Sequence, residues 1–142
     1  MFSKLGRIVL FVCTVIAVLG TGGRFAAAEE AAQGRVIYLH YCASCHGINA
    51  DGNGPVARAL KEPPTNLRLL SDLYGNPLQE DKVARAIDGR AEVKAHGPRD
   101  MPVWGEQFSA QSHGDERQVK ERITKLVAYL QSIQTGARSA SR

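Results

Sequence analysis

The chain has 142 residues, close to the length of one domain, with 44% hydrophobic and 23% charged residues; these are ordinary globular values that exclude wholesale disorder. The formal net charge of +4 is unevenly placed: Lys4, Arg7 and Arg24 stand without an acid in residues 1–28, which leaves 15 Lys and Arg against 14 Asp and Glu in the rest. So nearly neutral a body removes the main argument for nucleic-acid binding, and three cysteines exclude a disulfide framework.

The first 28 residues read as a secretory signal peptide. Two positive charges precede the apolar run Ile8–Leu19, and small residues follow to Ala26-Ala27-Ala28, so cleavage is expected after Ala28. The alternative is a retained membrane anchor. A spanning helix needs about 20 apolar residues, and this run is interrupted by Gly20, Gly22, Gly23 and Arg24. Cys13 lies inside the run behind the bulky Val12, which disfavours lipid attachment. The mature chain is thus expected in the periplasm, without stable membrane insertion, with Cys42 and Cys45 as its only cysteines.

Four helical stretches follow. The first covers about Glu30 to Cys45, with Val36, Ile37, Tyr38 and Tyr41 as its apolar side, and stops before Gly47. A turn-rich loop, Gly47 to Gly54, leads to Pro55 and a short helix, Val56 to Lys61, which must end before Pro63-Pro64. A third helix fits Gln79 to Asp88, with Val83 and Ile87 one turn apart and Gly89 as its C′ residue. The fourth, about Glu116 to Gln134, places Val119, Ile123, Leu126, Val127, Leu130 and Ile133 on one stripe. No alternating strand pattern occurs. The predicted class is all-α with long loops: a domain over residues 29–134 and a polar tail over 135–142. Loops rich in Gly and Pro bury little apolar surface in a domain this small, so something else should fill its centre.

The sequence Cys42-Ala43-Ser44-Cys45-His46 supplies a candidate. Two thiols one helical turn apart can add to the two vinyl groups of a haem, and the histidine that follows can ligate the iron. A thioredoxin-like redox pair would require a βαβ pattern, and a structural zinc site would require about four ligands; neither is present. Met101, the only methionine besides the initiator, lies in the loop Asp100 to Gly105 and is the candidate sixth ligand. Its thioether is soft and neutral, which favours ferrous iron and raises the reduction potential. His96 is the rival in the same loop, with His40 and His113 further off, and an open iron remains an alternative.

These pieces resemble the class I c-type cytochromes, small mono-haem electron carriers, over nearly the whole mature chain. Gly34 and Tyr38 precede the Cys42–Gly47 motif, Pro63-Pro64-Thr65-Asn66-Leu67 resembles the family's proline loop, Met101-Pro102 stands in the sixth-ligand loop, and Val127-Ala128-Tyr129-Leu130 resembles the closing helix. The resemblance implies a small cytochrome c fold, four or so helices and long loops around one covalent haem c. It implies a close crossing of the first and last helices at Gly34, with Tyr38 and Leu130 near the contact. The carbonyl of Pro63 or Pro64 would accept a hydrogen bond from the His46 ring. Trp104, Arg68, Arg90 and Arg99 are candidates for holding haem propionates.

The expected function is exported electron transfer, without enzymatic activity, between transient redox protein partners, by a monomer that binds no nucleic acid. The alternatives are an electron-accepting subunit of a larger dehydrogenase or oxidase, and a haem enzyme with an open sixth site.

Overall fold

A computed structural model describes residues 4–91 and 101–135, with side chains from Gly23 onward. Helix α1 runs over Lys4–Tyr41 and α2 over Ala43–His46, so the first predicted helix is present but longer at its start, and it breaks for one residue at Cys42. The break is slight, because the Cys42 N–H still reaches the Tyr38 carbonyl at 2.8 Å and the His46 N–H reaches the Cys42 carbonyl at 2.9 Å. Both thiols and the histidine therefore stay on nearly continuous helical backbone.

The predicted helix over Val56 to Lys61 is reduced to one 3-10 turn, Ala57–Ala59. Here the Val56 N–H is bonded to the Ser44 carbonyl and the Gly54 N–H to the Cys45 carbonyl, so contact with α2 takes the place of a longer helix. A second 3-10 turn, Leu67–Leu69, runs into α3, Leu70–Tyr74, a segment predicted as loop. Helix α4 spans Glu80–Asp88 and ends as expected, with Gly89 in the left-handed region at φ 69°, where a residue without Cβ is unstrained. Helix α5, Trp104–Gln111, was also predicted as loop. Helix α6 covers Glu116–Ser132; the Asp115 side chain accepts from the Arg117 N–H at its start, which satisfies one of the free donors of the first turn.

The core lies where α1 and α6 cross. Val119, Ile123, Leu126, Val127 and Leu130 of α6 are buried as their spacing predicts, whereas Ile133 is only partly buried. An ideal Cβ on Gly34 would lie 1.8 Å from the Lys125 carbonyl oxygen, so the two backbones approach through the missing side chain. One turn on, fully buried Tyr38 packs its ring 5.1 Å from that of Tyr129. Beyond α6, Gln134 donates to the Leu67 and Leu130 carbonyls and accepts from Ser71, which ties the chain end to α3. Thr135, assigned to the tail, donates to the Arg68 carbonyl.

Among the described residues all regular structure is helical, and no helix is long and apolar enough to cross a membrane. His96, Arg99 and the tail beyond Thr135 lie outside them.

Candidate haem site

The cysteines and His46 end the α1–α2 backbone, and they face a cavity of about 410 Å³. Its other walls come from apolar residues of distant segments, among them Leu67, Leu70, Val83, Ile87, Leu126 and Leu130. Pro63, Pro64, Met101 and Trp104 line the same cavity. Seven of the eight site residues expected from the sequence therefore border one space, although 62 positions of chain separate Cys42 from Trp104.

Arg68 is the exception. Its side chain is exposed and does not border the cavity; its positive charge helps to hold the Asp51 carboxyl below the usual range, behind the larger effect of hydrogen bonds from Asn53. The physical reason is its place in the tight Leu67–Leu69 turn: Asn66 accepts the Arg68 N–H, while Leu67 and Leu70 on either side take the cavity wall. Arg90 is engaged elsewhere, in ion pairs with Asp88 and Glu116. Of the rival ligands, His40 and His113 are exposed and do not line the cavity.

His46 Nδ1 lies 3.0 Å from the carbonyl oxygen of Thr65, which corrects the expected partner, Pro63 or Pro64. The loop is the predicted one, but the accepting carbonyl lies further along it, at Thr65, while both prolines line the cavity. The Pro64 carbonyl instead lies against Gly52, 2.5 Å from where a Cβ would stand. A carbonyl can only accept, so Nδ1 carries the proton and Nε2 keeps its lone pair for a metal. Burial holds the His46 pKa below the usual imidazole value, with the Thr65 carbonyl acting more weakly in the opposite sense. The ring is thus neutral at physiological pH, as a ligand must be.

The thiols are free. Burial, and secondarily the neighbouring Cys45, pushes the Cys42 thiol up to about 12. A catalytic dithiol requires the opposite, a depressed pKa that yields thiolate near neutrality, so the environment argues against a thioredoxin-like role.

Sequence reasoning missed Thr65, Tyr41 and Tyr74. Tyr41 and Tyr74 line the cavity; Tyr41 also meets Trp104 edge-on at 5.5 Å and donates to Gln111. Leu70, Leu73 and Tyr74 at helical spacing were the available signal for the α3 wall.

A family model described as cytochrome c oxidase, cbb3-type, subunit III matches residues 29–130. The chain belongs to this family. It is a mono-haem c-type cytochrome with the small all-α fold. No curated protein and no solved structure matches the chain. Cytochrome c domains carry haem, transfer electrons with redox partners, are typically carriers rather than enzymes, and are usually extracytoplasmic.

The residues present fit that group. A flat apolar ring needs an apolar cavity, two thiols, a neutral imidazole and a further soft donor, and the cavity brings this donor set together with aliphatic walls.

Proposed function

We propose that the chain is an exported, monomeric electron carrier that holds one haem c through Cys42 and Cys45, with His46 and Met101 as axial ligands. The observation that carries this reading is the convergence of Cys42, Cys45, His46 and Met101 on one cavity. The match to the family begins at residue 29, directly after the expected cleavage point, which supports a leader over residues 1–28.

When bound, the haem supplies reversible one-electron chemistry. Each residue then has a defined task. Cys42 and Cys45 would hold the ring by thioether bonds. His46 donates a ligand nitrogen whose direction is set by the Thr65 carbonyl, since rotating the ring would break a 3.0 Å hydrogen bond. Met101, on the wall of the same cavity, would offer its thioether to the iron and so keep substrates from the metal. Leu70, Val83, Ile87 and Leu126 exclude water, which favours the less charged ferrous state and raises the potential. Pro63, Pro64 and Trp104 complete the wall, and the Trp104 indole N–H is a donor available to a propionate. The edge beside Cys42 and Cys45, where Ser44 is exposed, is the electron port, and its encounters with partners are small and transient.

The test is visible spectroscopy of the protein matured with haem c. The expected result is a sulfur-to-iron charge-transfer band at the red end of the ferric spectrum, lost in Met101→Ala, with no carbon monoxide binding to the wild-type ferrous protein. Ready carbon monoxide binding without that band would overturn the closed-site reading in favour of an open haem.

A second reading rests on the family description: a haem-bearing subunit of an oxidase. Stable co-purification with a membrane-bound oxidase at high salt would establish it; elution as a lone monomer with full electron transfer supports the free carrier.

A further inference from the structure

Two residues beyond α4, each nitrogen of the Arg90 guanidinium donates a hydrogen bond to a carboxylate. Nε donates to Asp88 Oδ1 and Nη2 to Asp88 Oδ2, both at 2.8 Å, a two-pronged pair, and Nη1 donates to Glu116 Oε1 at 2.9 Å. The Arg90 backbone N–H also donates to Asp88 Oδ1 at 3.1 Å, and Ser109 of α5 donates to Glu116 at 3.3 Å. One cluster thereby joins the end of α4, the middle of α5 and the start of α6.

Gly105 lies directly on it. A Cβ there would fall 2.4 Å from Arg90 Nε and 2.5 Å from Asp88 Oδ1, so only bare backbone packs at that point. Arg90 precedes Met101 by eleven positions and Gly105 follows it by four. The chain on both sides of Met101 is consequently held on the same ion cluster.

We propose that the Arg90–Asp88–Glu116 cluster, with Gly105 packed on it, positions Met101 and sets how rarely its thioether leaves the iron. This inference rests on the reading of Met101 as sixth ligand. Gly105 follows Met101 by only four positions, so anchoring Gly105 on the cluster limits how far the thioether can travel from the cavity and lowers the entropy its release would gain. Isolated exposed ion pairs contribute little. A forked Arg–carboxylate pair extended to a second carboxylate is the stronger geometry, and here Arg90 and Asp88 are only about a third and a quarter exposed. Asp88 is held below the usual carboxylate range chiefly by the Arg90 guanidinium, and Glu116 likewise, so the cluster is fully charged at neutral pH.

The experiment uses the ferric holoprotein well below its melting temperature, with Asp88→Asn, Arg90→Gln and Gly105→Ala, and with Ser71→Ala as a control on the Gln134 contact at the far end of α6. The readouts are the charge-transfer band and the affinity for added imidazole, which competes with the thioether. A tenfold larger ligand-free population gives roughly tenfold tighter apparent imidazole binding, and that is the expected shift in the three cluster variants, with a weaker band and unchanged haem attachment. Arg90→Lys should not restore the wild-type affinity, because an ammonium lacks the fork. Ser71→Ala should lower the melting temperature alone. Cluster variants that melt earlier but keep the wild-type band and imidazole affinity would show a merely structural role and overturn the proposal. Should Met101→Ala itself leave the band and the imidazole affinity unchanged, the ligand reading fails and takes the clamp with it. The two failures are therefore told apart.

Discussion

At the residue scale, Tyr38 shows how one polar atom is made compatible with burial. Its hydroxyl donates to the Gly47 carbonyl at 2.5 Å, and that carbonyl also accepts from the Ala50 N–H, so the turn after the cysteine motif is tied to α1 and Gly47 keeps one partner if Tyr38 loses its oxygen. Tyr38→Phe should therefore cost only about 1 kcal/mol in urea denaturation at neutral pH. Burial holds the Tyr38 pKa above its usual value, so on raising the pH the unfolded chain gives up this proton first. The stability it contributes is full below about pH 10 and falls above it; the gap between wild type and Tyr38→Phe should narrow from that pH upward. Whether a side chain faces the cavity was legible at Cys42, Cys45, His46 and Met101, because their chemistry is rare. It was not legible at Arg68, where one step of register decides between cavity and solvent. Nor could it separate the carbonyls of Pro63, Pro64 and Thr65, since every residue has a carbonyl and only loop geometry selects one.

At the scale of elements, the crossing of α1 and α6 depends on Gly34. Any side chain there meets backbone, the Lys125 carbonyl, which cannot rotate away. Gly34→Ala should separate the helices and cost about 1–3 kcal/mol, read as a lower thermal midpoint, with hydrogen exchange of α1 and α6 amides as the local probe. Helices α4 and α6 were readable because their apolar residues recur at helical spacing and their ends carry recognisable chemistry: Gly89 at one C-terminus and Asp115 at the other's start. Helices α3 and α5 were not. They are five and eight residues long, below the length at which helix formation sustains itself, and they form because Leu70 and Phe108 are buried by segments remote in the chain.

At the scale of the whole molecule, the cavity of about 410 Å³ beside the cysteine motif is walled by segments from α1 to α6. An unfilled cavity of that size would cost on the order of 10 kcal/mol by the volume scaling of core truncations, an upper bound because an open site admits water. That is comparable with the entire stability of a small domain, about 5–15 kcal/mol. The haem is on this account a structural component as well as a redox centre. Replacing both thiols, Cys42→Ala with Cys45→Ala, and isolating the protein free of haem should leave helical far-ultraviolet circular dichroism but abolish the near-ultraviolet signals of Trp104 and the tyrosines, with dye binding and no sharp melt. A cooperative transition equal to that of the haem-loaded protein would contradict this.

The sequence alone determined the class of protein and singled out the motif proposed to attach the haem and its histidine, because these depend on local spacing: two thiols and an imidazole within five residues, and apolar stripes along α4 and α6. It also indicated that the centre needed filling, since the loops are too long and too polar to do so. Tertiary structure alone decided which carbonyl orients His46, which arginine is left in solvent, and that Arg90 and Gly105 meet on either side of Met101. Those outcomes depend on distances between segments far apart in the chain. Such distances follow from how whole helices pack, and no local pattern of residues encodes them.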